Sequence, residues 1–63
     1  MAWVFTKKLP VGRVRVGVAD QDPRPGDKKI LWASEQEHPT NMQRLVGELL
    51  IQTSGEDMVV LDP

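Results

Sequence analysis

Val14, Val16 and Val18 alternate with Arg13, Arg15 and Gly17. That period of two predicts a strand over Arg13–Ala19 with one face buried. Ahead of it, Ala2–Lys8 carries Trp3, Val4 and Phe5, residue types that favour a pleated, half-buried surface, and reads as a first strand. Leu9-Pro10-Val11-Gly12 joins the two as a turn, with Pro fixing one φ and Gly closing it. Asp20–Asp27 holds two prolines and a glycine, which exclude strand and helix, and is expected to be the loop of a long hairpin. Ile30–Ala33 then forms a third strand. Ile30 and Trp32 would lie on one face, Leu31 and Ala33 on the other, so the strand is expected to be covered on each side, or to be partly covered by a partner.

The pattern changes period after Pro39. Met42, Leu45, Val46, Leu49 and Leu50 follow the i, i+3, i+4, i+7, i+8 spacing of an amphipathic helix over Asn41–Ser54. Thr40 and Gln43 have capping-box spacing at its start, and Gly55 supplies a left-handed stop. Glu56–Leu61 is the last strand. A helix between two strands implies a crossover, so this strand should run parallel to a neighbour. The whole chain, residues 1–63, is therefore expected to be a single small α+β domain. Its sheet has about four strands, mostly antiparallel, with one helix on a face in the order β-β-β-α-β.

On the helix, the leucine-rich stripe is the expected core face. Gln43, Gly47 and Ile51 form a second line about 120–150° around the helix. A glycine inside a helix costs about 1 kcal/mol relative to alanine. Its presence beside an aliphatic residue on the outer line is therefore read as a place where a partner approaches closely. Gln43, Gly47 and Ile51, with Leu31 and Trp32 of the two-faced strand, are the candidate protein interface.

Size sharpens that expectation. A 7.1 kDa chain is expected to keep roughly 4,100 Å² accessible of about 10,300 Å² unfolded. Burial then contributes about 90 kcal/mol, against about 95 kcal/mol for ordering the chain. The two nearly cancel. With no Cys and one His, the sequence offers no disulfide and no set of soft metal ligands. Association is the remaining source of stability, and a homodimer is expected. No run approaches the ~20 apolar residues of a membrane span, no secretory signal opens the chain, and the default location is the cytoplasm.

Charge divides the chain. Up to Lys29, seven basic residues (Lys7, Lys8, Arg13, Arg15, Arg24, Lys28 and Lys29) face three acidic ones, a balance of +4. From Ile30 onward Arg44 stands against six acidic residues, a balance of −5. The basic set, with Trp3, Phe5 and Trp32 in the same sheet, resembles the mixture that binds single-stranded nucleic acid or an acidic partner. An overall charge of −1 weighs against nucleic acid, because such modules are usually strongly basic. Asp20, Asp22 and Asp27 do not make a calcium loop: counted from Asp20, the fifth and sixth positions are Arg24 and Pro25.

His38, with Ser34, Glu35 and Glu37 close in sequence, is the one candidate general base. No nucleophile elbow, phosphate loop or metal-ligand spacing accompanies it. The leading expectation is a non-catalytic protein–protein interaction module without cofactor or metal. It would be homo-oligomeric and act by binding another protein, as small phage- or plasmid-encoded inhibitors do. A nucleic-acid-binding module is the alternative, and a small oligomeric enzyme the third.

Overall fold

The computed structural model describes residues 1–55 and 58–62. Four strands and one helix follow in the expected order: β1 (Ala2–Lys8), β2 (Val14–Ala19), β3 (Ile30–Gln36), α1 (Pro39–Ser54) and β4 (Val59–Leu61). They form one mixed sheet in the order β3-β1-β2-β4 with the helix on one face. β1 pairs antiparallel with both β2 and β3, while β4 runs parallel to β2, as the crossover argument requires. Expected positions Glu56 and Asp57 of the last strand lie outside the described residues.

The loop after β2 does something other than expected. β2 and β3 are not neighbours, so residues 20–29 are not a hairpin loop. They cross beneath β1, because β2 ends beside Trp3 whereas β3 begins beside Lys7. The route is diagonal and lies on the sheet face opposite α1. Arg24 rests over the Trp3 ring at 5.6 Å and Asp27 binds Lys7 at 2.7 Å. Hydrophobic alternation in β2 is blind to this, because it identifies a buried face and not the strand that lies alongside.

Register explains where the core sits. Val4, Thr6, Val16, Val18 and Trp32 share the helix side, since Val4 pairs with Val18, and Thr6 with both Val16 and Trp32. Val4 and Val16 are the two fully enclosed side chains. On the loop side, Phe5 pairs with Gly17 and Ala33, and its ring packs over the glycine. A Cβ at Gly17 would stand 2.5 Å from that ring. Two thin half-cores therefore sandwich the sheet. Arg15, read as part of a solvated outer face, shares this covered side with Phe5 and Lys7. β3 extends to Gln36, beyond the expected Ala33, and a bulge opposite Thr6/Lys7 breaks its simple alternation at Leu31.

The helix begins two residues earlier than expected. Pro39 occupies its first turn, where a missing N–H costs nothing and a fixed φ helps. Thr40 is thus already helical, His38 stands at the cap without a side-chain bond, and the Thr40–Gln43 capping box does not form. Gly55 ends the helix with positive φ, its N–H donating to the Ile51 carbonyl at 2.8 Å, as the stop signal implied.

Candidate interaction surfaces

α1 is turned on its own axis by roughly 90° from the centre of its apolar stripe, at ~100° per residue. Its buried residues are Gln43 and Gly47. The line read as outward-facing is the line against the sheet, and two contacts hold it there. A Cβ on Gly47 would sit 2.6 Å from the Leu61 side chain, so glycine permits the helix to approach β4. The Gln43 amide donates to the Val16 carbonyl at 2.9 Å and to the Asp62 carbonyl, tying the helix to β2 and to the end of β4. A buried amide is affordable only with such partners.

The consequence is a correction to two sets of residues. Gln43 and Gly47 lie inside the fold and offer nothing to a partner. Leu45 and Leu49, expected in the core, are 51% and 54% exposed. The apolar spacing was read rightly as a helix, but the facing was decided by the smallest residue and by a polar pair. Spacing alone does not carry that information.

The remaining expected interface residues fall on opposite sides of the helix. Trp32, 40% exposed, joins Thr6, Val46, Leu49 and Leu50 in lining a groove of about 270 Å³ between α1 and β3. Leu31, exposed on the bulged start of β3, lies at the same sheet edge. Ile51 is exposed on the other flank, one turn beyond Gly47, where the half-exposed Leu61 meets the helix. The two flanks are distinct surfaces. The groove arises because α1 lies mainly over β2, β4 and β1 and reaches β3 least.

The basic residues separate likewise. Lys7 is paired with Asp27, Arg15 with Asp62, and Arg24 with Asp22 through two side-chain nitrogens. The Arg15–Asp62 pair joins the basic and acidic halves directly. Lys8, Arg13, Lys28 and Lys29 remain exposed, with Lys8 and Lys29 held together by a backbone bond of 3.0 Å. Aromatics and cations do share a face, as nucleic-acid binding would need, but it is the face crossed by the loop. Trp32 is on the other side.

No protein family, no curated protein and no solved structure matches this chain.

His38 lies at the mouth of an open depression with Glu35, Glu37 and Asn41. Ser34 does not line it, and its Oγ accepts the Gln36 side-chain amide at 2.9 Å. Among the described residues no cluster of His, Asp and Glu is placed to hold a metal ion. No helix is long and apolar enough to cross a membrane.

The crossing loop has a pH signature. Hydrogen bonds from the Lys7 ammonium and then the Lys29 backbone N–H hold the Asp27 carboxyl below the usual aspartate range. Asp22 is lowered in the same way by the Arg24 side chain and backbone. A depressed folded-state pKa adds stability above the unfolded value and loses it as pH falls through the folded one. The loop should therefore stay docked at neutral pH and loosen below about pH 4. Trp3 fluorescence, followed in Trp32→Phe, should change there, and Asp27→Asn should reduce the amplitude at acid pH.

Proposed function

We propose that this protein is a non-catalytic interaction module, homo-oligomeric, that acts in the cytoplasm by docking on another protein. The observation carrying this is that Leu45 and Leu49 of α1's own apolar stripe are left in water, with Leu31, Trp32, Ile51 and Leu61 also exposed in a chain of 63 residues. Exposed apolar surface on this scale marks interaction sites in small proteins. The two separate flanks suit a protein that meets its own copy on one side and its target on the other, and we place the target on the Ile51–Leu61 flank.

The test is capture of a target from the lysate of the source cells with tagged wild type and Ile51→Glu. Ile51 is 44% exposed, so the substitution should leave the helix signal intact. We expect a protein retained by wild type, lost with Ile51→Glu and kept with Lys8→Glu. Capture of nothing beyond the tag background would overturn the reading. Retarding a labelled oligonucleotide at low salt, abolished by Lys8→Glu and steeply weakened by added salt, would favour the nucleic-acid alternative instead.

A further inference from the structure

We infer that the groove between α1 and β3 is closed by a second copy of this chain, with the two β3 strands side by side and antiparallel. The inference rests on the interaction-module reading but concerns the flank opposite Ile51. Three observations converge on it.

The first is the edge. β3 is an outer strand of seven residues, whereas the opposite edge, β4, has three. Natural edges are protected by shortness, by Lys or Pro within the strand, by bulges, or by cover. β4 uses the first device. Ile-Leu-Trp-Ala-Ser-Glu-Gln contains no Lys, Arg or Pro, and only its bulged start at Leu31 departs from regular pairing.

The second is charge. Exposed Lys28 and Lys29 precede β3, while exposed Glu35 and Glu37 stand at its far end. Antiparallel alignment of two copies sets the cations of each against the anions of the other. Parallel alignment sets like charges together. The strand is thus electrostatically complementary to its own reverse, which is what a two-fold, isologous contact demands.

The third is area. The chain exposes 4554 Å², about 450 Å² more than a fold of its mass usually does. Hiding that excess on both copies removes roughly 900 Å², just under the ~1,000 Å² of stable interfaces, which fits a weak, concentration-dependent contact. Two-fold symmetry also brings Trp32 and Leu49 of both copies to one place, the large-aromatic centre that binding energy concentrates on.

Sedimentation equilibrium from about 5 to 500 µM tests this. The mass should rise across this range toward twice the 7.1 kDa of one chain. Leu49→Glu should weaken association at least tenfold, and Ile51→Glu should not. Should Leu49→Glu fail to fold by circular dichroism, Trp32→Ala, at the half-exposed aromatic of the same groove, carries the same expectation. The joint change Lys28→Glu, Lys29→Glu should weaken the dimer, and adding Glu35→Lys and Glu37→Lys should restore it. A wild-type monomer at 500 µM, or a dimer indifferent to the groove and charge-swap variants, overturns the inference. A monomer that still captures a target through Ile51 leaves the docking reading standing; a dimer that captures nothing defeats only that reading.

Discussion

Phe5→Ala is expected to unfold a large share of the protein. Phe5 is the one aromatic ring enclosed in the core, against Gly17 and Ala33 on the loop side of the sheet. Removing such a ring typically costs 3–5 kcal/mol through lost burial and the cavity left behind, so roughly that is expected here. At about 0.05–0.15 kcal/mol per residue, a chain this short has only ~3–9 kcal/mol in all. Nothing else can fill the gap, because Gly17 has no side chain and Ala33 a short one. Urea unfolding monitored by circular dichroism should show the midpoint fall by half or more. Leu49→Ala, by contrast, should move it little at concentrations where the chain is monomeric. An equal loss from both would place Leu49 in the core after all.

Gly47→Leu should be the second most damaging change. An ordinary helix gains from replacing glycine, by up to about 1 kcal/mol. Here the first added carbon already meets the Leu61 side chain at 2.6 Å. Leu61 can swing aside for one methyl, since it is half exposed, so Gly47→Ala should be close to neutral. A full leucine instead lifts α1 from β4 and stretches both Gln43 hydrogen bonds. Overpacking of this kind costs about 1–3 kcal/mol, and the broken amide contacts add about 1 kcal/mol or more. Differential scanning calorimetry of the two variants should separate them clearly. A Gly47→Leu protein as stable as wild type would mean that the helix does not approach the sheet along this line.

The two predictions also show what can be read from the chain and what cannot. Strand β1 and the parallel last strand follow from local residue types and the need for a crossover, both of which are short-range or topologically forced. The helix is likewise legible from its spacing, and its stop from Gly55. What local pattern does not encode is which strand neighbours which, so the loop after Ala19 looks like a hairpin although it crosses a strand. Nor does it encode the facing of a helix whose apolar stripe is wider than its contact. Gln43 and Gly47 held the clue to that facing. A glycine amid leucines signals close approach, and a buried sheet supplies that as readily as a partner does. A Gln four residues before it, on the same line, can reach carbonyls at the ends of β2 and β4. Read together, they point inward. Leu31 and Trp32 keep their exposure because α1 reaches β3 least, and Ile51 because it lies one turn past Gly47 on the outer flank of the helix, beside β4.

Whether the helix faces the sheet through Gly47 or through its leucines is the question beneath the rest. Nuclear Overhauser effects in the isotopically labelled protein, kept dilute enough to be monomeric, answer it most directly. Cross-peaks from the Gly47 α-protons to the Leu61 methyls, with none from the Leu49 methyls to Val4 or Val16, are the expected result. Strong Leu49–Val16 cross-peaks and a Gly47 without contacts to β4 would contradict it, and with it both bare flanks.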